Sequence, residues 1–316
     1  PSFLIHLSRD ELKYLYIKLK FGLYTLSKSD DFFSRAEKIL KRLELLVPNT
    51  QTTELTDAFA WRWRKNKDKG SRLEAIESFS AVNLSDLLHV NHQKDRLVQN
   101  TRQFMSGLPA NNVLLWGPRG TGKSSLVKAL LNEFLDRGLR LIEVDRHDLT
   151  DLPEIIDMIK GLKQHFIIYC DDLSFDGNDE TYRALKSILD GSILETPKNI
   201  LVYATSNRRH LLPEHQQDNQ KAQVINGELH QDEAVEEKIS LSERFGIWLS
   251  FHPIDQKRYL DIVGHWLSKL GASAIEVDQA KGEALRWALS RGSRSGRSAN
   301  QFARDWIGRS TLAEKN

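Results

Sequence analysis

The eight residues from Gly117 to Ser124 constrain the fold of this chain more than any other stretch. They read GPRGTGKS and match the spacing G-x-x-x-x-G-K-[ST] at every fixed position. The four apolar residues from Val113 to Trp116 predict a short buried strand before them, and apolar residues recur at helical spacing from Leu126 to Phe134. A strand, a glycine-rich turn and a helix in this order predict one unit of a parallel α/β fold.

This turn has the chemistry of a phosphate-binding loop. Its glycines let the backbone turn tightly, so that successive N–H groups point at one anion, and the start of the following helix also attracts negative charge. Lys123 would reach the β- and γ-phosphate oxygens of a nucleotide, and Ser124 would bind Mg²⁺. An ordinary glycine turn before a helix is the alternative. The nucleotide-binding residues that we expect here are Gly117, Pro118, Arg119, Gly120, Thr121, Gly122, Lys123 and Ser124.

Apolar runs and helical periods alternate from residue 113 to about residue 251. This alternation predicts a five-stranded parallel sheet with helices on both faces, and it predicts phosphate binding at the carboxyl ends of the strands. The expected strands are 113–116, 141–144, 165–170, 200–204 and 247–251, and the expected helices are 122–137, 152–162 and 181–190.

The chain as a whole is expected to have four parts. Apolar residues at helical spacing predict two amphipathic helices before residue 55 and three helices after residue 253. Acidic residues outnumber lysines between 212 and 240, which favours a mobile loop, with a partner-binding or regulatory loop as the alternative. The expected boundaries are 1–55 for an N-terminal helical region, 56–83 for a basic and aromatic connecting segment, 84–252 for a nucleotide-binding core that includes the insertion, and 253–316 for a C-terminal helical region.

Composition narrows the class of protein. The formal net charge is only +2, so any affinity for nucleic acid must come from a local patch. Cys170 is the one cysteine, which excludes an intrachain disulfide and fits a reducing compartment. We find no run of 18 apolar residues and no secretory signal in the first ten residues, so we expect no membrane span and a cytoplasmic location.

Polar side chains follow two of the expected strands. Asp171 and Asp172 end the apolar run that starts at Phe166, and two adjacent carboxylates in such a place are costly unless a cation neutralises them. We expect Asp171 to hold Mg²⁺ and Asp172 to act as a base or to position water. Asn207 follows the next strand and could orient the attacking water or touch the γ-phosphate. A polar strand end and a simple turn residue are the alternatives.

Two arginines near the end of the chain are candidates for contacts with a triphosphate. Arg244 follows the acidic insertion and could reach the nucleotide of a neighbouring subunit, because its planar, permanently charged group suits phosphoryl transfer. A surface salt bridge is the alternative. Arg297, at the start of the last helix, is the expected second γ-phosphate contact, with Arg294 as its rival.

These residues, in this order, resemble the AAA+ ATPases. The loop Gly117–Ser124 looks like Walker A, and the pair Asp171-Asp172 looks like Walker B. Asn207 then resembles sensor 1, Arg244 the arginine finger, Arg297 sensor 2, and the C-terminal helices the lid. The resemblance implies that the segment 84–90 contacts adenine, with Leu88 to Val90 (Leu88 and Val90 above all) lining the base pocket.

The resemblance is closer still to a group of uncharacterised bacterial AAA+ ATPases classed as a domain of unknown function. It covers about residues 80–312, and it is carried by four stretches: Asn112–Gly117, Cys170–Phe175, Ala204–His210 and Glu236–Gly246. One position departs from the commonest AAA+ pattern, since Asp172 stands where most members have Glu. Aspartate is shorter by one methylene group, so hydrolysis is expected to be slow unless the water sits closer.

Two functions follow as expectations. The first is an oligomeric Mg-dependent ATPase that uses ATP hydrolysis to remodel or move a macromolecular client, protein or nucleic acid. The second is a slow, nucleotide-gated binding module of helicase-loader type that acts on single-stranded DNA or a DNA-bound protein. The basic and aromatic run from Trp61 to Lys67 could stack on bases, although an edge strand with buried tryptophans is the simpler interpretation. A GTPase lacks support, because the base-specifying motif Asn-Lys-x-Asp is missing after the loop. The similar stretch Asn66-Lys67-Asp68-Lys69 lies upstream of the loop and has Lys where the motif requires Asp. A small-molecule kinase is a lesser rival.

Overall fold

The structure is a computed structural model of the chain. It divides into two compact units, Pro1–Glu54 and Leu55–Asn316. In the first unit it describes only residue 13 and residues 37–39, all helical, so the two predicted N-terminal helices lie almost wholly outside the described residues. The other described residues are 58–65, 71–77, 82–175, 180–189, 197–209, 223–225, 228–230 and 241–315.

A seven-stranded sheet forms the centre of the second unit. All five predicted strands are present in it and pair in parallel, but the sheet has seven strands rather than the expected five. The two additional strands lie at one edge, where one of them pairs in parallel with the core. The strands are β1 (Ala60–Arg64), β2 (Arg72–Ala75), β3 (Val113–Trp116), β4 (Leu139–Glu143), β5 (His165–Cys170), β6 (Ile200–Ser206) and β9 (Ile247–Ser250), in the spatial order β2-β1-β4-β5-β6-β3-β9.

The alternating aromatic and basic residues of β1 explain this extension of the sheet. Trp61 and Trp63 are buried against the core, so the interpretation that these rings stack on nucleic-acid bases is wrong. The basic side chains between and after them form ion pairs, and those of Arg62 with Glu143 and of Lys65 with Asp151 are both 2.8 Å long. The simpler interpretation is therefore confirmed for the buried tryptophans, but β1 is not an edge strand, because it pairs with β4 on one side and with β2 on the other.

Helices cover both faces of the sheet, as predicted. Side chains of the first two helices of this unit join one buried cluster, and side chains of the next two helices join a second cluster on the opposite face. Because residues along a strand alternate between faces, neighbouring strand residues such as Leu114 and Leu115 belong to different clusters. The helices are α1 (Asn91–Met105), α2 (Lys123–Phe134), α3 (Leu152–Ile159) and α4 (Glu180–Leu189).

The three predicted C-terminal helices are present and have a hydrophobic core of their own. They are α5 (Gln256–Lys269), α6 (Ala274–Ser290) and α7 (Gly296–Lys315). Ser273 and Glu276 form a capping box at the start of α6, which satisfies N–H groups that would otherwise lack a partner. The buried residues of this cluster include Tyr259, Val263 and Phe302. We call these three helices the lid.

The turn 84–90 joins the lid to the sheet. Leu88 packs into the lid cluster, whereas Val90 packs into the cluster under α1 and α2. Asp86, whose side chain is only 3% exposed, accepts a hydrogen bond of 2.6 Å from Lys269 of α5 and lies 3.1 Å from His265. Burial on its own would raise the pKa of Asp86, but these partners hold it below the usual aspartate value.

Two short strands lie within the predicted acidic insertion. They are β7 (Gln223–Ile225) and β8 (Glu228–His230), and they pair with each other in an antiparallel hairpin. The rest of 212–240 lies outside the described residues, so the predicted mobility of this segment stays a prediction. None of the helices in the described part of the chain has both the length and the apolar character needed to cross a membrane.

Candidate nucleotide-binding site

The glycine-rich turn between β3 and α2 requires glycine for two separate reasons. Gly117, Gly120 and Gly122 have φ angles of +139°, +74° and +102°, a region that residues with a Cβ rarely adopt. Space is also short, because a Cβ at Gly117 would lie 2.1 Å from the carbonyl oxygen of Phe251, and one at Gly120 would lie 2.5 Å from the Cβ of Ser295. The loop is therefore held tightly against its surroundings.

Lys123 is a buried cation at the start of α2. Its Nζ donates hydrogen bonds to the carbonyl oxygens of Gly117 and Pro118, at 2.6 and 2.8 Å, and to Oδ1 of Asn207 at 3.1 Å. Burial lowers the pKa of Lys123 from its usual 10.5 to about 8, against the opposing charge of the two nearby carboxylates. These three acceptors are neutral, so an anionic phosphate oxygen would be a stronger partner for this ammonium group.

Asp171 receives hydrogen bonds from three hydroxyl groups on three different elements. Ser124, Tyr169 and Thr205 donate to its Oδ1 at 2.8, 2.8 and 2.6 Å. Burial on its own would raise the pKa of Asp171, but these hydrogen bonds outweigh it and hold the pKa below the usual value. Burial also raises the pKa of Tyr169 well above its usual value, so this phenol stays a donor at neutral pH. Asp171 is therefore a fixed anion next to the Ser124 hydroxyl.

Asp172 has partners on both of its carboxylate oxygens. The side-chain amide of Asn207 donates a short hydrogen bond to Oδ1, and the guanidinium of Arg119 lies 3.1 Å from Oδ2. The backbone N–H of Asp172 donates to Oγ1 of Thr205 at 3.0 Å. The backbone of Asp172 has a φ of +52°, which is unusual for a residue other than glycine and turns the chain sharply away from β5. Lys123, Asn207, Asp172 and Arg119 thus form a continuous chain of polar contacts.

The lid contacts the glycine-rich loop directly. The N–H of Gly296, the first residue of α7, donates to the carbonyl oxygen of Gly120 at 2.8 Å. Arg294 and Arg297 lie on either side of this contact, and both are exposed. The backbone between the two arginines therefore contacts the loop, and the choice between them as the second γ-phosphate contact stays open.

Arg244 lies at the opposite end of the sheet from the loop of its own chain. It precedes β9, whose first residue pairs with Val113 at the amino end of β3. A Cβ at the nearby Gly246 would lie 2.3 Å from Oδ1 of Asn111, which also precedes β3. The loop follows the other end of β3, about 10 Å further along the strand at roughly 3.3 Å per residue. This placement separates Arg244 from the polar contacts around Lys123.

The alternation of side chains along a strand could have identified two site residues that the sequence analysis missed. Tyr169 lies two positions before Asp171, and Thr205 lies two positions before Asn207, so each pair is on the same face of the sheet. Ser295 carries no such signal, because its contact with Gly120 joins residues far apart in the chain.

The arrangement suits a magnesium-bound nucleoside polyphosphate. Ser124 and Asp171 place a hydroxyl and a charged carboxylate within 2.8 Å of each other, and oxygen ligands of these kinds are the ones Mg²⁺ prefers. The loop offers backbone N–H groups, a helix start and a buried ammonium group to phosphate. The expected base contacts Leu88 and Val90 lie on the turn where sheet and lid meet.

Comparison with protein families finds one that spans most of this chain. The family model described as "Protein of unknown function (DUF815)" matches residues 56–310. This match covers the sheet, the loop, the acid pair and the lid.

The similarity to curated proteins covers a shorter part of the chain. The chain is 31% identical over 85 residues to the replication factor C large subunit of Staphylothermus marinus, which is 27% of this chain and 19% of that protein. It is 37% identical over 82 residues to the same subunit of Ignicoccus hospitalis, which is 25% of this chain and 17% of that protein. The matched region thus spans about a fifth of the length of these relatives.

Among solved structures, a mutant of RuvB from Thermotoga maritima has a TM-score of 0.49 and 17% identity, over 74% of this chain and 67% of that chain. The Aeropyrum pernix ORC1 protein in complex with DNA has a TM-score of 0.41 and 16% identity, over 72% of this chain and 67% of that chain.

Proposed function

Since this chain belongs to the DUF815 family and has the fold of the AAA+ P-loop ATPases, we propose that it is a Mg²⁺-dependent ATPase. It assembles into oligomers and couples ATP hydrolysis to remodelling or moving a macromolecular partner. The observation that carries this proposal is the contact between Ser124 and Asp171, because it joins the phosphate-binding loop to the acid pair at the end of β5.

The positions of the residues support the role that we propose for each of them. Lys123 binds the β- and γ-phosphates, and Ser124 and Asp171 would hold Mg²⁺, which would supply positive charge beside the phosphate oxygens. Asp172 accepts the proton of the attacking water, and Asn207, which contacts both Lys123 and Asp172, orients that water.

The lid and the subunit boundary supply the remaining charge. An arginine near the loop, Arg297 or Arg294, contacts the γ-phosphate, so that the position of the lid depends on whether this phosphate is present. Arg244 acts on the nucleotide of a neighbouring subunit, a role that its distance from the loop of its own chain supports. Leu88 and Val90 line the adenine pocket.

A slow, nucleotide-gated binder of single-stranded DNA was the second expectation. Its supporting residues were Trp61 to Lys67, and the burial of Trp61 and Trp63 removes the base-stacking part of that argument. Slow turnover remains compatible with Asp172, whose shorter side chain holds the water less closely than glutamate would. The client is a protein or a nucleic acid, and measurement of turnover separates a motor from a switch.

A mixing experiment tests hydrolysis and assembly together. Asp172→Asn should bind ATP and lose at least about 100-fold in turnover, because a general base contributes about 10² to 10⁴-fold. Arg244→Ala should lose turnover by a similar factor, because arginines of this kind contribute about 10³ or more. Mixed oligomers of the two inactive variants should regain activity, because some sites then combine an intact Asp172 with an intact Arg244 from the neighbour.

The control for this experiment is Arg64→Ala, which removes an exposed arginine from β1, far from the loop along the sheet, and should keep normal turnover. Parental turnover in Asp172→Asn would contradict the role of the base. Failure of the mixture, under conditions where mass measurement shows mixed oligomers, would contradict action between subunits.

A further inference from the structure

Arg119 occupies a variable position of the glycine-rich loop, yet it contacts the expected catalytic base. Its guanidinium lies 3.1 Å from Oδ2 of Asp172, while the side-chain amide of Asn207 donates a hydrogen bond to Oδ1 of the same carboxylate. A hydrogen bond to each carboxylate oxygen uses part of the acceptor capacity through which a base takes a proton from water. In this arrangement both oxygens of Asp172 already have a protein donor, which competes with water for the carboxylate.

The contact between Arg119 and Asp172 is a poor candidate for a stabilising feature of the fold. The two side chains are 80% and 53% exposed, and ion pairs as exposed as this one contribute little to folding stability. Asp172 nevertheless sits in a strained backbone conformation, with a φ of +52°, that the hydrogen bond from its N–H to Thr205 helps to hold. Strained residues of this kind cluster at functional sites.

Arg119 also lies beside the place where the end of a triphosphate would sit. Lys123 and Asp172 both contact Asn207, and Arg119 completes the same chain of contacts from the side of the loop. The two cations of the site thus use protein oxygens as acceptors: Lys123 uses backbone carbonyls and an amide, and Arg119 uses a carboxylate. A γ-phosphate carries more negative charge than one carboxylate and matches the planar fork of a guanidinium.

We propose that Arg119 is a γ-phosphate-dependent positioning residue for Asp172. It holds Asp172 when the site is empty or contains ADP, and it moves to the γ-phosphate when ATP binds, which frees one oxygen of Asp172 for water. This inference rests on the proposed function, and it adds a device by which the loop itself distinguishes ATP from ADP.

Nucleotide affinity tests the first half of this inference. Arg119→Met removes the charge and keeps an unbranched side chain, and it should leave folding intact because the ion pair is so exposed. Mg²⁺ with the non-hydrolysable β,γ-imido analogue of ATP should bind about tenfold or more weakly to Arg119→Met, while ADP affinity should change by less than about twofold. Arg119→Lys, which keeps the charge without the fork, should recover part of the loss.

The matched control is Arg64→Met. Arg64 is a second exposed arginine in an ion pair, 3.1 Å from Glu74, and it lies on β1, far from the loop along the sheet. It should leave the affinities for both nucleotides unchanged. An equal loss of ADP and analogue affinity in Arg119→Met would overturn the inference, because it would mean that Arg119 only shapes the loop.

The second half concerns Asp172 itself and needs a readout other than affinity. The Nε–H signal of Arg119 in an arginine-labelled NMR spectrum, assigned by its absence from Arg119→Lys, should shift on Asp172→Asn in the empty and ADP-bound protein. With the ATP analogue bound, the same substitution should no longer shift it. A shift that persists with the analogue would overturn the inference and leave the proposed ATPase intact, whereas a wild-type chain that binds neither nucleotide would overturn both.

Discussion

Lys123 shows how a single residue sets the pH range of the proposed activity. Its pKa of about 8 in the free protein means that it loses its proton above this pH. A bound polyphosphate favours the charged form, so above pH 8 binding must take up a proton, and affinity must fall as pH rises. We expect the Kd for Mg·ATP to be nearly flat from pH 7 to 8 and to rise by up to about tenfold per pH unit above it.

Calorimetric titrations between pH 7 and 9.5 check this expectation. Repeating them in buffers with different ionisation enthalpies counts the protons taken up, which should approach one per site at the upper end of the range. A Kd that does not change from pH 7 to 9.5, with no proton uptake, would mean that the buried amine keeps its ordinary pKa.

At the scale of single residues, the sequence predicted which residues lie together at the candidate site better than it predicted which other residues they contact. The spacing of the loop, the acid pair and Asn207 correctly predicted side chains that the fold brings together. It could not predict that Ser295 leaves no room for a side chain at position 120, or that Arg119 contacts Asp172. Both contacts join segments that are distant along the chain. The roles of all the expected site residues stay predictions.

At the scale of elements, the contact between the turn 84–90 and helix α5 is expected to stabilise the folded chain, and its contribution to the free energy of unfolding can be measured. Asp86 is buried and bonded to Lys269, so Asp86→Asn leaves a cation facing a neutral group. We expect a loss of about 1–3 kcal/mol in the free energy of unfolding, towards the lower end because Lys269 is 39% exposed and partly screened by water. Asp278→Asn, which removes an exposed partner of Lys281, should cost less than about 0.5 kcal/mol.

The pH dependence of this difference has a definite sign. The pKa of Asp86 is lowered in the folded chain, so its stabilising contribution is present above the usual aspartate pKa and is lost as pH falls through the lowered value. Thermal melting of Asp86→Asn and the wild type should therefore differ at pH 7 and converge towards pH 3. A constant difference across this range would show that the substitution acts through packing instead of charge.

Among the elements, strands with long apolar runs were the most predictable. The bounds of β3 and β5 are those expected from the sequence, since both are buried on two faces and each apolar run stops at a clear signal, Gly117 after β3 and Asp171 after β5. The alternation in β1 predicted a half-buried strand, but not its partner. Its parallel pairing with β4 joins residues about 80 positions apart, as in Ala60 with Leu141, and no local pattern encodes such a contact.

At the scale of the whole molecule, the fold places three kinds of group around one loop. The sheet brings Asp171, Asp172 and Asn207 to its carboxyl edge, the lid contacts the loop through Gly296, and the turn 84–90 ties sheet and lid together. A ligand at the loop would therefore contact both the sheet and the lid. Its binding is expected to change the position of the lid relative to the sheet. Arg244 lies at the other end of the same sheet, where an adjacent subunit could receive it.

The central claim is that these groups form a binding site for Mg·ATP, and calorimetric titration of Mg·ATP into the purified chain tests it most directly. An Asp172→Asn background removes the heat of turnover, and the same background with Lys123→Ala provides the matched comparison. The account predicts saturable binding at up to one site per chain together with a higher melting temperature, and it predicts that both are lost when Lys123 is removed. Absence of both heat and thermal protection in the chain that retains Lys123, or equal binding without Lys123, would contradict it.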